Sequence, residues 1–192
     1  MYVRHSWIPK IFFILCAVNS LLIGDVLLGV GVGIHSYPDA LDPFDVWERV
    51  PVVYPHGEIN FPVTDQFTIG CVFSHVVIPC KLDRFVDTPQ KMDIYTGGLY
   101  GEVDLVSGPQ CFGIGAQVQS VVSAHFIGPR GEYTNGFGAR VYGIAQQRIL
   151  SDISTNVRTG VQRVWVETSM IPVYSELQLD SYFVELVLYL HL

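Results

Sequence analysis

The sequence predicts an all-β chain, built as a sandwich or a barrel, and three observations carry that expectation. Apolar and polar residues alternate at a period of two in many places, whereas no segment longer than about two helical turns keeps a 3.6-residue period. Gly and Pro clusters punctuate the alternating runs, as turns between short strands do. Apolar residues make up 49% of the chain and charged residues 15%, which excludes disorder and demands extensive burial. Its 192 residues suffice for one domain with a substantial core. The formal net charge of −7 argues against a nucleic-acid partner, because phosphate binding needs clustered Lys and Arg.

Residues 1–20 read as a signal peptide. Arg4, His5 and Lys10 precede an apolar run over 11–18 and the small polar pair Asn19-Ser20, with cleavage expected after Ser20. A retained anchor is the alternative, since apolar character resumes over 21–34, but Asp25 and several glycines interrupt that stretch. The protein is therefore expected to be exported.

Residues 21–65 read as an N-terminal extension, partly extended and Pro-rich. Within it Val26, Leu28, Val30, Val32 and Ile34 share one face of a strand, and Gly29, Gly31 and Gly33 share the other, which can lie flush against another backbone. These glycines match neither a dinucleotide fingerprint nor a phosphate loop, so no nucleotide is expected there. Five prolines between Tyr37 and Pro62 argue for irregular cover with at most edge pairing.

From Gln66 onward the chain reads as the main domain, 66–192. Strands are expected over 66–77, 91–95, 117–127, 138–144, 160–167 and 177–192. Turns are expected at Gly97-Gly98, Ser107-Gly108-Pro109, 128–131 and 133–136. The last strand is the most informative. Tyr182, Val184, Leu186, Leu188, Leu190 and Leu192 line one face, with Phe183, Glu185, Val187, Tyr189 and His191 on the other. So apolar a face is expected to be buried, because left bare at a sheet edge it would recruit other chains.

Site chemistry is sparse. In an oxidising compartment Cys71, Cys80 and Cys111 leave one thiol over; Cys80–Cys111 is the preferred disulfide, Cys71–Cys111 the alternative, and the third thiol is expected to be buried. His35, His56, His75, His125 and His191 are scattered without ligand spacing and read as surface or turn residues, so no metal is expected. Asp39, Asp42, Asp45 and Glu48 lack the spacing of a calcium loop and read as solvated. No nucleophile–base set is recognisable, and neither an enzyme nor a cofactor is expected.

Three segments resemble the chaperone-usher pilin subunits of bacterial fimbriae. Residues 66–80, an alternating run ending in Pro79-Cys80, resemble the pilin opening; 92–97 and 101–112 are similar to the strands leading to the second cysteine; 136–143 with 182–192 is similar to the pilin ending. The resemblance implies an immunoglobulin-like β-sandwich, either complete in itself or incomplete and completed by a donated strand. It implies donor-strand candidates in Val26, Leu28, Val30, Val32 and Ile34, or in Phe67, Ile69 and Cys71. It further implies a groove and chaperone-facing wall of Tyr182, Val184, Leu186, Leu188 and Leu190. The partners would be a periplasmic assembly chaperone, an outer-membrane usher and neighbouring pilin subunits, with a possible host glycan. The chain would pass through the periplasm into a fimbrium and contribute to adhesion. An exported carbohydrate-binding adhesive module and a viral or phage structural sandwich are the alternative readings.

Overall fold

The computed structural model describes residues 26–38, 49–80, 90–106, 108, 110–127, 132–168 and 176–192. Eight strands follow one another: β1 (Leu27–Pro38), β2 (Arg49–Pro62), β3 (Phe67–Cys80), β4 (Gln90–Val106), β5 (Gln110–Ile127), β6 (Glu132–Leu150), β7 (Ile153–Thr168) and β8 (Glu176–His191). Each pairs antiparallel with its sequence neighbour, and β8 returns to pair with β1, so the sheet closes into a barrel. Closure runs from Leu27↔His191 to Ser36↔Tyr182, and Leu192 N–H donates to Val26 C=O at 3.0 Å just beyond it.

The all-β expectation is met by a closed barrel, and the incomplete immunoglobulin-like sandwich is wrong. A barrel has no edge strands, so no groove awaits a donated strand. The segment read as an extension supplies β1 and β2. The signal peptide, its cleavage site and the acidic cluster between the prolines lie outside the described residues. Of the expected turns, Gly97-Gly98 lies inside β4 and 133–136 inside β6. Gly98 is there for close approach: a Cβ would stand 2.6 Å from the Val118 carbonyl oxygen across the ladder. The β6 segment instead carries a register shift between Tyr133 and Asn135.

Alternation is present as expected, but its two faces are exchanged. Tyr182, Val184, Leu186, Leu188 and Leu190 point out of the barrel at 46–58% exposure, while Phe183, Glu185, Val187 and Tyr189 point in and are at most 3% exposed. The proposed groove wall is thus the outer surface of β8. The donor candidates behave the same way: Leu28, Val30, Val32 and Ile34 on β1, with Phe67 and Ile69 on β3, face outward, and none is donated. Val26 precedes β1, and Cys71 shares the outward parity of β3 but is buried. The glycine face of β1 turns inward, where it admits side chains rather than a flush backbone. A Cβ at Gly33 would fall on the Tyr54 ring, and one at Gly31 on the His56 ring.

One end of the barrel carries the connections 63–66, 107–109 and 151–152, together with Val26 and Leu192; the other carries 39–48, 81–89, 128–131 and 169–175. At the first end Thr64 Oγ1 accepts from the Gln66 and Phe67 amides at 3.2 and 3.0 Å, a side-chain closure typical of a Thr turn. Cys111 lies at this end, whereas Cys80 lies at the other, opposite Gln90. The length of β4 separates them, on the order of 50 Å at about 3.3 Å per residue, and a disulfide needs Cα atoms within about 7 Å. The expected Cys80–Cys111 bridge is therefore incompatible with the fold. Cys111 Sγ instead contacts the Gly108 carbonyl oxygen at 3.1 Å, and Cys71 is a buried thiol. A thiol reagent applied to the folded chain without reductant is expected to label Cys111; a peptide linking Cys80 to Cys111 in the mass map would contradict this geometry.

Candidate functional site

The inward face collects the charges that alternation had hidden among apolar residues. Glu58 (β2), Glu102 (β4), Arg140 (β6), Arg158 (β7) and Glu185 (β8) all point into the lumen and are at most 7% exposed. A charge removed from water is tolerated only when paired and hydrogen-bonded, and these five meet that demand in two linked nodes.

Arg158 centres the first. Its Nη1 donates to Glu58 Oε1 at 2.5 Å, and its Nη2 to Tyr189 OH at 2.5 Å; the ion pair of Nη2 with Glu102 Oε1 measures 2.6 Å. Tyr189 OH passes a hydrogen bond on to Glu58 Oε2 at 2.5 Å, and Tyr100 OH donates to the same oxygen at 2.8 Å. Asn60 Oδ1 also accepts from Tyr100, and Tyr142 OH donates to Glu102 Oε1 at 3.0 Å. The guanidinium lies over the Tyr100 and Tyr142 rings, 5.0 and 5.4 Å from their centroids.

Arg140 centres the second node. Its Nη1 donates to Glu185 Oε1 at 2.5 Å, its Nε to Gln162 Oε1, and its Nη2 to His35 Nε2 at 3.1 Å. Since the guanidinium can only donate, His35 Nε2 is an acceptor. Its proton then sits on Nδ1, 3.1 Å from Ser181 Oγ. Tyr54 OH also donates to Glu185, and Tyr54 stacks on His35 with centroids 4.3 Å apart. Arg158 and Glu185 are cross-strand partners with Nη1 and Oε2 3.8 Å apart, which joins the nodes.

Toward the end bearing the longer connections, the inward face becomes aliphatic: Val52, Val76, Ile78, Ile94, Val121, Val164 and Leu179 are all at most 5% exposed. An eight-stranded barrel is about wide enough for side chains to fill, and here they do. Arrangement and burial make the interior a packed, charge-balanced core with an aliphatic cap. The one described serine–histidine contact outside this cluster, Ser154 Oγ to His191 Nε2 at 3.0 Å, involves a wholly buried serine.

Among the histidines, His35 and His56 prove to be buried lumen residues, against the expectation of surface positions. His75 lies on the outer wall, 3.2 Å from Asp93 and stacked on Tyr95. The five buried charges were not singled out from the sequence. A signal for two of them was present: Arg140 shares its parity of β6 with Gly136, Gly138 and Gln146, and Arg158 shares its parity of β7 with Asn156, Gly160 and Gln162, each opposite a more apolar face.

No family model and no curated protein sequence matches the chain. Its fold is similar to solved structures of β-barrels. Neisserial surface protein A superposes with a TM-score of 0.62 at 9% identity, covering 87% of this chain and 98% of that one. The attachment invasion locus protein Ail of Yersinia pestis gives 0.45 at 7% identity over 88% and 99% of the two chains. The N-terminal β-barrel domain of Pseudomonas aeruginosa OprF gives 0.40 at 6% over 86% and 97%. The first of these, together with the closed sheet, overturns the pilin resemblance. The fimbrial role, the chaperone, usher and pilin partners, and the fimbrium as destination fall with it.

Arg158→Leu removes the cation facing Glu58 and Glu102 while leaving both carboxylates buried. It is expected to lower the unfolding free energy by about 3–5 kcal/mol in a denaturant titration. Arg163→Ala breaks the exposed pair with Asp180 on the outer wall and is expected to leave the midpoint unchanged. Equal effects from the two substitutions would contradict the central place given to Arg158.

Proposed function

We propose that the chain is an integral membrane barrel of outer-membrane type, exported and seated in the cell envelope, where its filled lumen makes it an anchored platform and not a channel. One observation carries this reading. The outer wall is apolar while the charges are inside, the inverse of a soluble protein and the arrangement a lipid solvent requires.

The dimensions support it. On β8 the outward apolar series from Tyr182 to Leu192 covers about 33 Å along the strand, and about 25 Å along the axis at a tilt near 40°. Phe61, Phe67 and Phe112 lie outward near the end with short connections. Tyr95, Phe137, Trp165 and Tyr182 do so toward the other end, with Phe137 stacked on Trp165. Aromatic rings at two levels with aliphatic residues between them suit two membrane interfaces. The outward ion pair Arg163–Asp180 lies between Tyr182 and Trp165 in the ladder, within the aromatic level at that end. Short connections at the end that also holds Val26 and Leu192, and longer ones opposite, match the usual asymmetry of such barrels. The longer connections are what the platform would present.

Nothing in the packed core calls for catalysis, and the reading includes none. In lipid vesicles, a chain with Trp7 and Trp47 changed to Phe is expected to have its Trp165 emission quenched by lipids brominated on the acyl chain. Leu186→Arg is expected to cost about 2–4 kcal/mol of folding free energy in the same vesicles. Planar bilayers holding the wild-type chain are expected to show no conductance steps. An unquenched Trp165 would remove the membrane reading, and steady ion conduction would remove the closed lumen.

A further inference from the structure

Among the described residues, His56 is the buried imidazole of the cluster that neither node uses. Its side chain is 1% exposed, yet neither Nδ1 nor Nε2 has a hydrogen-bond partner among the described residues. Nε2 stands 3.4 Å from Glu58 Oε1, too far and too poorly aligned to count as a hydrogen bond. On its other side is Glu185, whose Oε1 is taken by Arg140 and Tyr54 while Oε2 has Arg158 Nη1 only at 3.8 Å. One donor atom from each of His56, Glu58 and Glu185 lies within 4.8 Å of the other two.

We propose that His56, Glu58 and Glu185 bind one divalent first-row transition-metal cation inside the lumen. An imidazole with two carboxylates is a donor set such ions accept, at about 2.0–2.2 Å from each atom. Closing the three donors onto an ion requires shifts of about 1 Å, within reach of side-chain rotation.

The surrounding charges permit it. Three buried carboxylates face two guanidiniums, so the cluster carries one negative charge in excess. When an ion takes Glu58 Oε1, Arg158 keeps its ion pair with Glu102 and its bond to Tyr189. Glu185 likewise keeps Arg140 on its other oxygen.

The wall beside the site is incomplete. The ladder between β2 and β3 stops at His56↔Ser74, and beyond it the rest of β2, with Pro51 and Pro55, is unpaired with β3. Proline donates no ladder hydrogen bond, which is consistent with a seam ending there. At this point a cleft of about 440 Å³ is lined by Pro55, His56, Phe73, Ser74, Tyr95 and Thr96, joining inward and outward residues. This proposal rests on the lumen alone and stands whether or not the barrel lies in a membrane.

The test uses the full chain, without a histidine tag, folded in detergent micelles and titrated with Co²⁺. One ion per chain is expected, with visible d–d absorption that Zn²⁺ abolishes. His56→Gln and Glu185→Gln are expected to weaken binding at least about tenfold, each checked for folding by circular dichroism, while His75→Gln on the outer wall keeps wild-type affinity. The unsubstituted chain supplies a reading that no folding defect can confuse: bound Cu²⁺ should show electron paramagnetic coupling to a single imidazole nitrogen. Absence of stoichiometric binding, wild-type affinity in folded His56→Gln, or coupling to none or to several nitrogens would each overturn the proposal.

Discussion

A guanidinium withdrawn from water is sustainable only where its charge is answered and its donors are met. Arg158 achieves this by drawing on strands across the lumen as well as on its own neighbours, β6 and β8. Glu58 comes from β2, Glu102 and Tyr100 from β4, Tyr142 from β6 and Tyr189 from β8. No open sheet brings β2, β4 and β7 to one point; a sheet curled shut does. The same cluster fixes register. A slip of one residue in β2, β4 or β8 would exchange that strand's faces, putting a carboxylate on the outer wall and taking it from the cluster around Arg158. The cost of burying charge thereby becomes a source of specificity, in which closure, register and a filled interior are one condition.

The strands themselves were legible in the sequence because their period is a property of the backbone. The expected strands 26–34, 66–77, 91–95, 117–127, 138–144, 160–167 and 177–192 each coincide with part of a strand that forms, with only residues 26, 66 and 192 falling just outside. Which face meets the core was not legible by the usual rule, since that rule assumes water outside. Tyr182, Val184, Leu186, Leu188 and Leu190 are too apolar for a wall against water, and Glu185 is too polar for an ordinary core. Both oddities are accounted for together on the proposed reading, in which the solvent outside is lipid. β2 was missed for a different reason: its prolines argue against a central strand, and they sit where the β2–β3 ladder is incomplete. Gly97-Gly98 inside β4 and Asn135-Gly136 inside β6 read as turns because a glycine that permits close approach looks the same, one residue at a time, as one that permits reversal.

The resemblance to pilin subunits drew on the same alternation. A terminal apolar strand asks for a partner strand in either setting, and the sequence does not say whether that partner is another chain or its own beginning. Here it is β1, whose outward residues continue the apolar wall of β8 and whose glycines make room for Tyr54 and His56. The partner was therefore among the segments considered as donors, but it acts within the same molecule.

Pairing β1 with β8 has a consequence in time as well as in space. Hairpins such as β6–β7, joined through residues 151 and 152, bring together residues that are already near each other, whereas the β1–β8 seam joins residues almost the whole chain apart. Loop-closure entropy makes such a contact slow to form, and until it forms the sheet keeps two bare edges. Assembly is thus all or nothing at its last step: seven completed ladders leave an adhesive ribbon, and the eighth removes both edges at once.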